Sequence, residues 1–397
     1  MRFKITFWKA LLVVILAAGA WSTYVRFFKG LGAATNLSDQ FPWGLWVGFD
    51  CLSGIMLAAG GFTLMATVHI FNLEKFKSIA RPALVTAFFG YLLEIGAVMF
   101  DLGRPYRIWH PLVMWNPRSP MFIVGWCVVL YTTIMALEFA PVVFERWRTG
   151  NPACPDRRDR LSSIIRAIQA PLVILGVIVS IVHQSALGMF YVLVPGKLHP
   201  LWYSSMLPVL FFISAVAAGL AMTIFESSMS ARHFNHALSR PIVVTLGRVL
   251  MIALIVYGIV RIQDLFRNGA WTYAFARSYE STMFWFEMFL TLVIPLAFLA
   301  FRRIRENVLM LYIVSIAAIS GFIVNRLNVS VTGMEWSVGA RYVPKWTEVS
   351  VTLMMISIGI VLFTLAVKYL PIFAHEEGGR PVRPLKADGT SALPVHG

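Results

Sequence analysis

Asp50, Glu94, His183 and Glu226 each interrupt a run of apolar residues in this chain. Placing a charge at the centre of a bilayer costs at least about 2.5–3.5 kcal/mol on the most lenient scale, so such residues commonly handle protons, ions or a polar ligand. Tyr91 stands three residues before Glu94 and shares its helix face, and Gln184 follows His183 directly. Carboxylate, phenol and imidazole together are the groups of general acid–base chemistry. Whether they can act as one site depends on the elements that carry them.

Those elements are membrane spans. Of the 397 residues, 58% are hydrophobic and only 13% are charged, with a mean hydropathy of +0.73, which predicts an all-α integral membrane protein. Ten apolar runs are long enough to cross the hydrocarbon layer: 10–28, 43–71, 81–101, 120–143, 163–190, 205–227, 242–266, 280–301, 308–326 and 348–370. The first has Arg2, Lys4 and Lys9 ahead of it, as a signal peptide would, and is read as an uncleaved span. Residues 1–375 form a single polytopic domain. The Pro/Gly-rich tail 376–397 has no apolar periodicity and is expected to be disordered.

The net charge of +15 does not point to nucleic acid, because the cations lie mainly in connections between apolar runs. Twenty Arg and Lys fall on the side that holds both termini and eleven on the other, with Arg166, Arg248 and Arg261 inside spans. The positive-inside rule then places both termini in the cytoplasm of a bacterial inner membrane. Cys51, Cys127 and Cys154 form no CxxC pair, so neither a disulfide framework nor an iron–sulfur cluster is expected.

With orientation assigned, depth follows from the helical rise. Asp50 lies about seven residues, roughly 10 Å, below the periplasmic surface. Tyr91 and Glu94 occupy the outer half of span three, and His183 and Gln184 the last turns of span five. Three helices therefore offer acids, a phenol and an imidazole at similar depth. This chemistry suits a quinone, whose reduction takes two electrons and two protons. His and Tyr would hydrogen-bond its oxygens, a carboxylate would relay protons, and Trp46, with Phe41, Trp43 and Phe49, would supply an aromatic wall. The alternative is that Asp50 and His183 simply bond each other or backbone carbonyls.

A second polar group lies towards the cytoplasm. Glu138 and Glu226 are read either as the mouth of a proton path or as interfacial acids paired with Arg146, Arg232 or Lys77. Arg248 and Glu287 are open to the same two readings. Haem is not expected: only His69 and His183 lie within spans, at opposite depths, while the other six histidines lie in loops or the tail. His233 and His236, three apart in a connection, are a weak metal signal, and no metal is expected.

Several segments resemble the NrfD/PsrC family of polysulfide-reductase-type membrane subunits: FPWGLWVGFD (41–50), RPALVTAFFGY (81–91), MALEFAPVVFER (135–146), HQSALG (183–188), HPLW (199–202), IFE (224–226) and MFWFE (283–287). Within it the chain looks most like the HybB-like branch, which serves periplasmic uptake nickel–iron hydrogenases of the hydrogenase-2 type. The resemblance implies ten spans without a redox centre, with spans two to five (43–190) and six to nine (205–326) as two four-helix bundles flanked by spans one and ten. It also implies menaquinone bound in the first bundle near the periplasmic face. A ferredoxin-like iron–sulfur subunit would dock above it, electrons would come from nickel–iron hydrogenase large and small subunits, and proton translocation would be coupled to their transfer. Assembly as a dimer of complexes is a further expectation. The family's functional Tyr, His and Glu carry over to Tyr91, His183 and Glu226. The branch's b-type cytochrome name disagrees with the histidine positions.

The chain departs from a relative that carries a glutamate early in span four, where Ile123 stands here; Glu94, one turn after Tyr91, is this chain's own acid. Two competing functions remain. One is the same role for a periplasmic polysulfide, thiosulfate or formate-type molybdoenzyme. The other is a proton-coupled secondary transporter, which the clustering of polar residues at one face disfavours.

Overall fold

The computed structural model describes residues 7–69, 73–150, 168–234, 239–370 and 372. Among the described residues ten helices are long and apolar enough to cross a membrane: α1 Phe7–Lys29, α2 Trp46–Val68, α3 Ile79–Asp101, α4 Pro120–Phe144, α5 Gln169–Val192, α6 Leu207–His233, α7 Arg240–Arg267, α8 Tyr279–Ala300, α9 Val308–Val338 and α10 Trp346–Tyr369. No strand occurs among the described residues. The protein is an all-α, multi-pass membrane protein. With ten spans described, the start of α1 and the end of α10 lie on one face, here called the terminus face. Arg166, Cys154 and the tail fall outside the described residues.

Local chemistry sets several ends. Pro241 sits in the first turn of α7, where its missing N–H is not needed. Ser278 caps α8 by accepting from the Ser281 N–H, and Asn307 caps α9 by accepting from Leu309 and Met310. Glu348 accepts the Lys345 N–H at 2.8 Å at the start of α10. Gly339, at φ 69°, ends α9 in the left-handed conformation.

Helices α2 to α5 pack as one bundle and α6 to α9 as a second, with α1 against α10 along the side of α3. Apolar lipid gives little hydrophobic drive for helices to associate, so close backbone approach between small residues must contribute. The bundles meet where α2 crosses α6: a Cβ on Gly60 would stand 2.6 Å from the Gly219 carbonyl oxygen, and one on Gly219 would stand 2.5 Å from the Gly60 nitrogen. The first span is a packed element. Ser22 meets Ser350 of α10 at 2.6 Å, and Arg26 donates to the carbonyls of Phe100 and Leu102.

The structure corrects two sequence expectations. The ninth span does not stop at residue 326. It continues through a π-helical stretch, Asn328–Thr332, to Val338, so Arg326 is a buried intramembrane residue and not part of a connection. Arg26, also counted with the connections, is 3% exposed at the end of α1. Arg26 is bonded to two backbone carbonyls, and Arg326 to the Asn325 amide oxygen, the Phe211 carbonyl and the Ser214 hydroxyl, partners that hydropathy does not reveal.

Candidate functional site

Tyr91, Glu94 and His183 meet inside the first bundle. The Tyr91 hydroxyl lies 3.1 Å from His183 Nδ1, and His183 Nε2 faces Glu94 Oε1 at 3.8 Å. All three are enclosed, with exposures of 0%, 2% and 0%. Tyr91 and Glu94 share one face of α3, and α5 brings the imidazole between them. Gln184 is held by a bond from its Nε2 to the Ile55 carbonyl of α2, at 3.2 Å. Glu94 therefore faces protein and not lipid.

The fourth helix supplies a residue that sequence reasoning missed. Tyr131 of α4 packs on Tyr91 with ring centroids 4.1 Å apart, and Phe62 of α2 packs on Tyr131 at 4.2 Å. Its signal was present: Tyr131 and Glu138 are seven apart in α4, two turns on one helix face. Glu138 is 5% exposed, and neither carboxylate oxygen has a hydrogen-bond partner among the described residues. Ile123, partly buried, packs against the same core.

The remaining residues fall elsewhere. Asp50 does not bond His183. It lies in the π-helical start of α2 and accepts from Thr352 Oγ1 of α10 at 2.6 Å. Trp46 is buried against Phe100 and donates its indole N–H to the Glu348 carbonyl at 3.1 Å, so it ties α2 to α3 and α10. Trp43 packs instead on Tyr191 at the outer end of α5.

Glu226 accepts from Thr86 Oγ1 of α3 at 2.6 Å. It lines a cavity of about 350 Å³ between α3, α6 and α10, with Phe89, Phe225, Ile360 and Phe363 among the apolar walls. Arg248 is exposed on α7, beside the α8–α9 connection. Glu287 is enclosed in the second bundle, where it accepts from Trp202 Nε1 at 2.8 Å, Asn325 Nδ2 at 2.7 Å and Asn328 Nδ2 at 2.9 Å. Arg326 donates to Asn325 and Ser214 and lies over the Phe211 ring at 3.6 Å. Outside the spans, burial pushes His199 below the ordinary imidazole value against the opposing Glu280, consistent with the neutral ring that accepts the Leu201 N–H.

Among the described residues no group of three or more His, Cys, Asp or Glu could hold a metal ion. What the first bundle offers is hydrogen-bonding capacity left unused. Glu94 Oε2, His183 Nε2 and Gln184 Oε1 are buried without a hydrogen-bond partner. Buried polar atoms are nearly always paired, so a cluster of unpaired ones calls for an explanation such as water, ion or ligand.

With this geometry in view, the chain belongs to the NrfD family: the family model described as "Polysulphide reductase, NrfD" matches residues 33–336. Among its relatives, the "Probable Ni/Fe-hydrogenase 2 b-type cytochrome subunit" of Escherichia coli (strain K12) is 31% identical over 87% of each chain. The "Menaquinone reductase, integral membrane subunit" of Nitratidesulfovibrio vulgaris is 26% identical, over 94% of this chain and 93% of the relative. A selenate reductase subunit of Mesobacillus selenatarsenatis is 29% identical over 53% of each.

Proposed function

We propose that this protein is the quinone-reactive membrane subunit of a periplasmic uptake nickel–iron hydrogenase complex in the bacterial inner membrane. Electrons would reach it from an iron–sulfur subunit docked on the face opposite the termini, and the acceptor is menaquinone. The observation that carries the reading is the enclosed Tyr91–His183–Glu94 cluster with its unused hydrogen-bonding atoms. The names of the hydrogenase and menaquinone-reductase relatives point the same way.

The residues fit a quinone. Tyr91 and His183 can donate to a carbonyl oxygen, and Glu94 can hold a proton in a site closed to water. When bound, the quinone supplies two-electron acceptor chemistry. The chain's part is to orient the ring and deliver protons. Thr86 and Tyr91 share α3, about 7–8 Å of rise apart, so Glu226 stands roughly one and a half turns towards the terminus face from the cluster. The buried Glu138 offers a parallel approach through Tyr131. Arg248 faces outward and Glu287 is held by three donors in the second bundle, so neither serves this route. The residues do not fit haem. His183 has one ring nitrogen towards Tyr91 and the other towards Glu94, with no second described histidine opposite it.

A second reading, service to another periplasmic oxidoreductase, is favoured by the selenate reductase relative. Co-purification separates the two. Recovery with a nickel–iron hydrogenase and an iron–sulfur protein supports the first reading; recovery with a molybdenum enzyme supports the second. In the recovered complex, His183→Ala and Tyr91→Phe should lower hydrogen-to-quinone activity by on the order of a hundredfold, as loss of a positioned acid–base group does. Hydrogen-to-dye activity should be unchanged, since a soluble dye takes electrons upstream. Equal loss of both activities, or a b-type visible spectrum that survives His183→Ala, would overturn the assignment.

A further inference from the structure

On the terminus face, α7 and the short α8–α9 connection gather five arginines around one acid. Arg248, Arg302, Arg305 and Glu306 line a hollow of about 540 Å³ whose remaining wall is Met251 and Ile252. Arg240, Arg303 and Glu306 line a neighbouring hollow of about 410 Å³. The single carboxylate is already committed. Glu306 Oε1 accepts from Arg302 Nε at 2.8 Å, and its backbone carbonyl takes two bonds from Arg240, at 2.8 and 3.1 Å. That bond from Arg302 holds the Glu306 carboxyl below the usual range, so it stays an anion and offsets one of the five positive charges.

Among the described residues Arg305 donates to the Met251 thioether, at 3.4 Å, and Arg248 makes no hydrogen bond or close ion pair, acting on Glu306 only through its charge. Five guanidinium charges against one carboxylate leave a local excess of four.

Topology alone does not account for this. The positive-inside bias acts through connections, and Arg302, Arg303 and Arg305 would satisfy it. Arg248 lies eight residues inside α7, roughly 12 Å of rise from the start of the helix at Arg240, and is exposed. A cation at that depth normally snorkels to the interface or meets an anion. Here the anion within its reach is Glu306, which is already bonded to Arg302 and outnumbered by the arginines around it. Met251 and Ile252 follow Arg248 along α7 away from the helix start, so the hollow joins a basic rim to an apolar wall.

We propose that this hollow binds an anionic glycerophospholipid. Its phosphate lies among Arg248, Arg302 and Arg305, and an acyl chain runs along Met251 and Ile252. Basic pockets between membrane helices are the recognised setting for such headgroups. The lipid would neutralise the intramembrane arginine and tie α7 to the α8–α9 connection, bracing the second bundle at a site remote from the Tyr91–His183–Glu94 cluster.

The test is purified full-length protein in vesicles of phosphatidylcholine alone or with added phosphatidylglycerol. Phosphatidylglycerol should raise the thermal midpoint of the wild type, and native mass spectrometry should show one retained anionic lipid. The double substitution Arg248→Gln with Arg305→Gln should weaken that retention roughly thirtyfold, from the worth of two basic residues near an anionic headgroup. It should abolish the gain while matching the wild type in phosphatidylcholine, which excludes a folding defect. Arg248→Lys should keep most of the gain. An equal gain in the double variant, no preference for phosphatidylglycerol, or the same stabilisation by inorganic phosphate alone would overturn the proposal.

Discussion

Glu94 adds a carboxylate on α3 to the phenol–imidazole pair of Tyr91 and His183. A phenol and an imidazole can bind a carbonyl oxygen and shift one proton between them. A third group is needed to hold the next, and the Glu94 carboxylate, 3.8 Å from His183 Nε2, is placed for it. Glu94→Gln keeps the shape and one acceptor oxygen but cannot carry a proton. In the assembled complex it should slow quinone turnover by on the order of a hundredfold, with hydrogen-to-dye activity retained. Ile123 is only partly buried and packs against the same core, so Ile123→Glu in the Glu94→Gln background should restore part of the rate. Unchanged turnover in Glu94→Gln would leave the residue a structural acid, and the relay would have to run through Tyr131 instead.

At the level of elements, the crossing of α2 and α6 is a joint between the two bundles where backbone meets backbone. Gly60 and Gly219 touch through backbone atoms, so any side chain at either position must push the helices apart. Gly219→Leu should cost about 1–3 kcal/mol, as overpacking does, and lower the thermal midpoint measured in detergent. Gly103→Leu, in a connection with open space where a Cβ would stand, is the matched control and should leave the midpoint unchanged. The ten spans were legible because length and apolar content decide them. Tyr91, Glu94 and His183 were legible because helix period and depth place them together. What could not be read was mutual satisfaction. Arg326, Asn325 and Asn328 look like the polar end of a span, yet they are buried with Glu287, Trp202 and Ser214 in one hydrogen-bonded group. Trp46 and Asp50 have the residue types of a ring-binding wall. The π-helical turn of α2 adds a residue to the local period and turns both towards α10.

For the whole molecule, the face opposite the termini must accept a partner if electrons are to arrive from outside the membrane. The α3–α4 connection lies over the first bundle on that face and is rich in exposed aromatic residues: Tyr106 is 67% exposed, Trp109 53% and Trp115 68%. Trp and Tyr collect at membrane interfaces as anchors, but exposed apolar groups above a functional bundle also suit a docking surface. The two roles separate experimentally. If the connection docks the iron–sulfur subunit, Trp109→Ser with Trp115→Ser should leave the amount of protein in the membrane unchanged. Recovery of the partner should fall roughly thirtyfold or more in apparent affinity, the range for loss of aromatic anchors. Hydrogen-to-quinone activity should fall with it, and added partner should restore it. If the residues only anchor the helix ends, membrane levels or helix accessibility should change while partner recovery holds. That outcome would move the docking surface to another part of the face, such as the segment 31–45, which Glu348, Lys345 and Tyr342 pin against the start of α10.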